Sequence, residues 1–400
     1  VTRDYLSTLE PLGMRFGLER VERALEALGH PERAYPILQV GGTNGKGSTC
    51  AMAAAALRAA GHGTGLYVSP HLVRFNERIQ VDGRQIDDEA LDGATEEIRR
   101  ACPWHERGAP EERLTYFEFA TLLGFLHFAR SKVDVAVMEV GLGGRLDATS
   151  AATPRVAAVA RIGLDHVQLL GDSVEAIARE KAGIFKRGIP AVAHAVQPAG
   201  ALETLRVEAA RRGAPFHVAP ADWRGTIGLA GDHQRGNAGL AAAALRLLDA
   251  SGLPVPEGAI AEGIATARWP GRLETVGGVL LDGAHNPDGA AALAAALGAL
   301  HPGRPVELVF GVLADKDHSG MIAALGPVVR RFHLVAPPSP RARPPAEYRE
   351  QVERHAPADV HASVAEAISC ARRAAADGAL VCVAGSLYLV GAARPLLGGG

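Results

Sequence analysis

Apolar residues at Leu18, Val21, Leu25 and Leu28 recur at the spacing of one helix face, and Gly29 with Pro31 ends that helix. Ile37-Leu38-Gln39-Val40 then runs into a glycine-rich turn, the pattern of a buried strand. An alanine-rich helix is predicted from about Lys46 to Ala60. Further strand-like runs lie at 65–68, 133–140, 156–162 and 190–196, with helical patterns between them. Such alternation predicts a parallel sheet covered on both faces. The pattern pauses after a helix at 237–250 and a Gly/Pro-bearing stretch at 252–258, and restarts after Trp269-Pro270-Gly271-Arg272. Strands are then predicted at 279–282, 306–312, 332–336 and 379–384. The expected fold class is α/β with two domains, residues 1–269 and a smaller 270–400, in keeping with a length that exceeds what one core usually serves.

Composition narrows the function more than the fold. With 48% hydrophobic and 22% charged residues the chain reads as an ordinary globular enzyme. Forty-two basic against 44 acidic side chains leave a formal charge of −2, which offers no footprint for nucleic acid or an anionic membrane. A small-molecule substrate is expected. The four cysteines show no metal-type spacing, the opening Val-Thr-Arg-Asp-Tyr has no signal-peptide pattern, and the uncharged run 289–300 is short of the roughly 18 residues a membrane span needs. A cytoplasmic location is expected.

The most specific local signal is Gly41-Gly42-Thr43-Asn44-Gly45-Lys46-Gly47-Ser48-Thr49, set between a strand and a helix. Glycines let backbone N–H groups turn inward around phosphate oxygens, and a helix N-terminus adds positive potential. The common pattern G-x-x-x-x-G-K-[ST] would need glycine at Val40 and a hydroxyl at Gly47, and neither holds. Other chemistry-bearing segments lie where strands end: Ser69 to Arg78, Glu139 to Thr149, Asp165-His166, and Glu180-Lys181. Glu139 reads as a Mg²⁺ ligand or as the ion-pair partner of an arginine such as Arg145; alone, His166 and Lys181 have equally plain structural readings.

Together the segments resemble dihydrofolate synthase/folylpolyglutamate synthase, the folate branch of the Mur-ligase superfamily. The matching blocks include T-N-G-K-G-S, S-P-H-L, T-Y-F-E at Thr115–Glu118, and E-V-G-L-G-G-R-L-D-A-T at Glu139–Thr149. They continue with L-D-H, E-K-A-G-I-F, a block ending at Asn237-Ala238, W-P-G-R, and D-G-A-H-N-P at Asp282–Pro287. The resemblance implies a P-loop-type sheet followed by a Rossmann-like domain. It implies an ATP cradle at Thr43, Asn44, Gly45, Lys46, Gly47 and Ser48, with further ATP contacts from Asn237, Arg272 and Asp282. Ser69, Glu139, His166 and a carbamylated Lys181 would hold Mg²⁺, two ions being expected. The pteroate surface would comprise Met14, Arg15, Phe16, Thr115, Tyr116, Phe117, Glu118, Leu146, Asp147 and Ala148, and the glutamate site Arg78, His285 and Ser386. Ser150 departs from the family's asparagine after D-A-T.

The activity implied is ATP-dependent addition of glutamate to 7,8-dihydropteroate and to reduced folates by a monomer, with Lys46, Lys181, His285 and Arg272 as the catalytic groups. A carboxylate resists amine attack until it becomes an acyl phosphate. Asp147 is expected to accept hydrogen bonds from a pterin, and Phe117 to pack against its ring. Rival readings are a synthase that only extends the glutamate tail, a peptidoglycan-type Mur ligase, a P-loop phosphotransferase, and a nucleotide-binding module without ligase activity.

Overall fold

The structure, a computed structural model, describes residues 2–13 and 15–398; Met14 lies outside the described residues. Two compact units divide the chain. One holds the chain up to Gly163, then Leu170–Gly228 and Arg235–Arg268; the other holds Leu164–Leu169, Leu229–Gln234 and the chain from Trp269 onward. No change of composition marks the two short excursions into the second unit.

In the first unit, β1 (Ile37–Gly41), β2 (Thr64–Tyr67), β3 (Ile79–Val81), β4 (Arg84–Gln85), β5 (Val135–Glu139), β6 (Val156–Val159), β7 (Ala191–Ala193) and β8 (Phe216–Val218) make one sheet. The order is β4-β3-β2-β5-β1-β6-β7-β8. β2, β3 and β4 pair antiparallel at one edge, and the other pairs are parallel. Every residue of β1 and β5 is buried, as expected for central strands with both faces covered. The alanine-rich helix Lys46–Ala59 is buried from Gly47 to Leu57, so it needs no polar face. Helix Glu257–Thr266 lies directly against it. A Cβ on Gly263 would sit 2.2 Å from the Ala56 Cα, so the two backbones approach as closely as they do only because that position is glycine.

The second unit contains β9 (Glu274–Val276), β10 (Val279–Leu281), β11 (Val306–Phe310), β12 (Arg331–Leu334), β13 (Ala358–Val360) and β14 (Leu380–Ala384) in the order β13-β12-β11-β14-β10-β9. Only β9 runs antiparallel. Leu280, Leu308, Phe310, Phe332 and Cys382 build its core with Leu293 and Leu297 from helix Pro287–Leu300. The longer predicted strands are present. Those the pattern does not reveal (β3, β4, β8, β9 and β13) have two or three residues, too few to display a period of two.

Strand order and register position the candidate site. β1 lies between β5 and β6, with Val40 opposite Glu139 and Gly41 opposite Val159. β2 pairs with β5 so that Tyr67 faces Met138, which brings Ser69 to the end of Glu139's strand. Because the pairs are parallel, the phosphate loop, Glu139 and Ser69 all leave the sheet at its carboxyl end.

Candidate active site

The phosphate loop is built within the first unit. Gly42 has φ +134° and Gly45 φ +90°, conformations that L side chains rarely adopt. A Cβ at Gly45 would meet the Asn237 Oδ1 at 2.2 Å, so the loop and the start of the His233–Ala250 helix are in intimate contact. The Thr43 and Asn44 N–H groups donate to the Arg161 carbonyl at 2.9 and 3.0 Å, and the Thr43 hydroxyl donates to the Gly163 carbonyl at 3.2 Å. Lys46 opens its helix and folds back, its Nζ donating to the Thr43 carbonyl at 3.1 Å. Gly47 and Ser48 are buried in the first turn. An open helix N-terminus, left-handed glycines and a lysine curled over the turn form a cradle for phosphate oxygens.

Beside it lie two buried ionisable groups. Glu139 is 5% exposed, and its Oε2 accepts from the Ser69 N–H at 3.1 Å. Lys181 is 4% exposed, and its Nζ donates to the Gly42 carbonyl at 2.8 Å. Burial, with Glu139 nearby, also pushes the Cys50 thiol well up. Arg145 is not the partner of Glu139; it pairs with Glu180 at 3.2 Å. Ser69 and Glu139 are hard oxygen donors and fit a divalent cation. The Lys181 ammonium does not, and it would become a ligand only by modification. His166, with φ +51°, belongs to the second unit.

The predicted pteroate surface falls into two clusters, both within the first unit. Thr115 caps helix Tyr116–Arg130 in a capping box: its side chain accepts from the Glu118 N–H at 3.3 Å, and Glu118 accepts from the Thr115 N–H at 2.7 Å. Arg20 also grips Glu118, its Nη2 at 2.7 Å and Nε at 3.1 Å, and reaches the Arg15 carbonyl. Glu118 therefore anchors the start of the helix. Phe16 is half exposed, and Phe117 lies against Gly141, where a Cβ would meet its ring at 2.4 Å.

In the second cluster Leu146 and Ala148 flank Asp147. The Asp147 carboxylate accepts from the N–H groups of Gly141 (3.0 Å), Leu142 (2.9 Å) and Thr149 (3.0 Å) and from the Thr149 hydroxyl (2.6 Å). These donors make Asp147 the organiser of its loop, in addition to the pterin contact proposed for it from the sequence. Burial raises its carboxyl, and the four hydrogen bonds oppose that shift without overcoming it. Ser150 turns inward, donating to the Gly144 carbonyl at 2.6 Å and accepting from Gln39 at 3.0 Å. It shapes the loop from beneath.

Arg78, predicted to bind glutamate, is 7% exposed; its Nε donates to the His71 Nδ1 at 2.9 Å and its guanidinium lies 5.4 Å from the Tyr116 ring centroid. The remaining predicted residues belong to the second unit. Ser386 is the N-cap of helix Leu387–Leu396, accepting from the Tyr388 N–H. Asp282 receives the Leu273 and Ala284 N–H groups at 3.0 and 2.9 Å, which ties the strand end to the Arg272 turn. A Cβ at Gly283 would lie 2.0 Å from the Arg272 Nη1. His285 Nδ1 lies 2.8 Å from the Gly283 carbonyl, so that nitrogen carries a proton.

Sequence reading missed Lys316 in this unit and gave Asp165, singled out only as part of the Asp165-His166 segment, no role of its own. Asp165 accepts from the Lys316 Nζ at 2.6 Å, and Lys316 also lies 3.2 Å from the His166 Nε2. Burial alone would raise the Asp165 carboxyl, but His285, Lys316 and His166 outweigh it and hold it well below the usual carboxylate range. The signal was present: Lys316 sits in a charged Ala-Asp-Lys-Asp loop beyond the end of an apolar strand.

Residues 40–212 match the Mur ligase middle domain, and residues 271–387 match the Mur ligase glutamate ligase domain. The chain is 38% identical to the dihydrofolate synthase/folylpolyglutamate synthase of Escherichia coli, over 96% of its own length and 92% of that protein's. It belongs to this family. Another member, the folylpolyglutamate synthase of Lacticaseibacillus casei, is 35% identical over 99% of this chain and 98% of that protein. Among solved structures, E. coli FolC in complex with DHPP and ADP matches with a TM-score of 0.89 at 35% identity, covering 99% of this chain and 97% of that one. The Yersinia pestis bifunctional family enzyme, complexed with AMPPNP and Mn ion, matches with a TM-score of 0.86 at 33% identity over 98% and 96% of the two chains. The family read from the motifs is thus borne out across nearly the whole chain. Among the described residues no helix is long and apolar enough to cross a membrane.

Proposed function

We propose that this protein adds L-glutamate to 7,8-dihydropteroate and to reduced folates, consuming ATP and releasing ADP and phosphate. The observation that carries the reading is the first unit's phosphate loop, with buried Glu139 and Lys181 at its side. In the first step the substrate carboxylate attacks the γ-phosphorus, and the bond to ADP breaks. Lys46 and Arg272 are the groups proposed to offset charge moving onto the β–γ bridge and the transferred oxygens. The glutamate amine then attacks the acyl carbon, and phosphate leaves from the tetrahedral intermediate. Thr43 to Ser48, Asn237 and Asp282 are the proposed ATP contacts. Mg²⁺, two ions in this proposal, would be held by Ser69, Glu139, His166 and carbamylated Lys181 and would neutralise phosphate charge.

Residues 1–269 are assigned to ATP and pteroate, and 270–400 to glutamate through His285 and Ser386, with Arg78 as a further glutamate group. Met14, Arg15, Phe16, Thr115, Tyr116, Phe117, Glu118, Leu146, Asp147 and Ala148 are the proposed pteroate surface. Four free cysteines support a cytoplasmic location, and we take the enzyme to be a monomer. A second reading, tail extension alone, is favoured by the L. casei relative, whose name carries only that activity.

Paired assays with ATP, Mg²⁺ and glutamate, using dihydropteroate and tetrahydrofolate in turn, decide between the two. Both acceptors are expected to yield product and ADP in equal amounts. Extension of tetrahydrofolate with none of dihydropteroate would leave the second reading.

A further inference from the structure

We propose that Asp165 is a positioning residue for the amino-acid step, orienting the His285 imidazole while Lys316 holds Asp165 in place. The inference rests on the assignment of His285 to glutamate. All these residues belong to the second unit, although Asp165 arrives on the short excursion 164–169.

The carboxylate is divided between two tasks. Oδ1 accepts from the Lys316 Nζ at 2.6 Å and from the His166 N–H at 2.9 Å. Oδ2 accepts from the Asn286 Nδ2 at 3.3 Å and faces the His285 Nε2 at 3.6 Å. Asn286 is itself fixed, since its Oδ1 caps helix Pro287–Leu300 by accepting from the Gly289 N–H at 2.9 Å. With Nδ1 tied to the Gly283 carbonyl, the ring retains one freedom, rotation about that bond. The oxygen opposite Nε2 removes it when the ring carries a proton on both nitrogens. A separation of 3.6 Å is longer than a hydrogen bond, so Asp165 steers the ring without saturating Nε2, which stays available to the incoming amino acid. Lys316, 6% exposed in its side chain, also cancels a negative charge that would otherwise repel a dicarboxylate substrate.

The test is a double-mutant cycle of Asp165→Asn and His285→Gln, with KM measured separately for glutamate, ATP and the pteroate acceptor. Asp165→Asn is expected to raise KM for glutamate about tenfold, leaving KM for ATP and the Mg²⁺ requirement unchanged. Added to His285→Gln it should do nothing further, and Asp165→Glu should recover part of the loss. A purely structural carboxylate would instead lower stability and weaken all three substrates alike, additively with His285→Gln. That result overturns the proposal, as does a changed Mg²⁺ requirement with an ordinary KM for glutamate. Should the asparagine variant not fold, Asp165→Glu enters the same cycle, with a glutamate-only effect expected. If His285→Gln leaves KM for glutamate unchanged, the underlying assignment of His285 fails. If His285→Gln raises it and the Asp165 variant does not, only the positioning role fails.

Discussion

A lysine buried against a carbonyl oxygen and a histidine buried among rings illustrate how single side chains carry different obligations. Lys181 donates its Nζ to the Gly42 carbonyl inside the phosphate loop, and to hold Mg²⁺ as proposed it would have to become anionic. Carbamylation converts the amine into such a group. Lys181→Ala is expected to lower kcat about a hundredfold or more, with partial recovery on adding a short carboxylic acid. Carbon-13 bicarbonate should give the wild type a carbamate carbonyl signal that the variant lacks; full activity in bicarbonate-free buffer without that signal would remove the carbamate from the mechanism. His105 has no such chemistry. It is fully buried, its Nδ1 accepts from the Leu114 N–H, and burial pushes it down to about 4 from an ordinary 6.5. The unfolded chain therefore binds the proton more tightly, so His105 favours folding above pH 6.5, and that contribution fades as pH falls toward 4. Urea unfolding should lose about 2 kcal/mol more between pH 7 and 4.5 in the wild type than in His105→Gln.

The T-x-x-E segment before helix Tyr116–Arg130 shows how one motif serves an element and a surface together. Its spacing was read as part of a substrate surface, yet it also has the spacing of a capping box, and the structure uses it as one. Thr115→Ala should destabilise the first unit by about 1 kcal/mol, the ordinary loss of an N-cap. Glu118→Ala should cost more, about 3 kcal/mol, because it also leaves the Arg20 guanidinium facing a partner that is gone. Urea denaturation at neutral pH measures both. If Glu118→Ala unfolds like the wild type and only the KM for pteroate rises, the anchoring role is wrong. The loop 141–150 follows the same logic, since Asp147 spends its oxygens on three backbone N–H groups and one hydroxyl.

On the scale of the whole molecule, two sheets share one chain that passes between the two units more than once. The phosphate loop's helix keeps its place because Gly263 allows helix Glu257–Thr266 to lie against Ala56. Gly263→Ala puts a methyl group against the Ala55–Ala56 backbone, where no side chain is free to rotate away. It should cost about 1–3 kcal/mol and weaken ATP binding severalfold as Lys46 is displaced. Thermal unfolding and nucleotide titration check this; an unaltered melting temperature would show that the helices separate freely.

Much of this protein was legible without coordinates. Long apolar runs identified the main strands, because a strand covered on both faces must be apolar along its length. The run Gly41–Thr49 suggested a phosphate loop, because glycines readily adopt the φ of +134° and +90° found at Gly42 and Gly45 beside a lysine. What residue types suggest but cannot decide is who spends whose hydrogen bonds. The sequence suggests Glu118, Asp147 and Ser386 as substrate groups, and tertiary structure shows that their oxygens also serve Arg20, the 141–149 loop and a helix end. Asp165 and Lys316 lie 151 residues apart in sequence, and nothing local marks either as the other's partner. Periodicity and motifs are short-range properties of a chain. The pairing of buried charges is decided in tertiary structure, here by the excursion of six residues that carries Asp165 into the second unit.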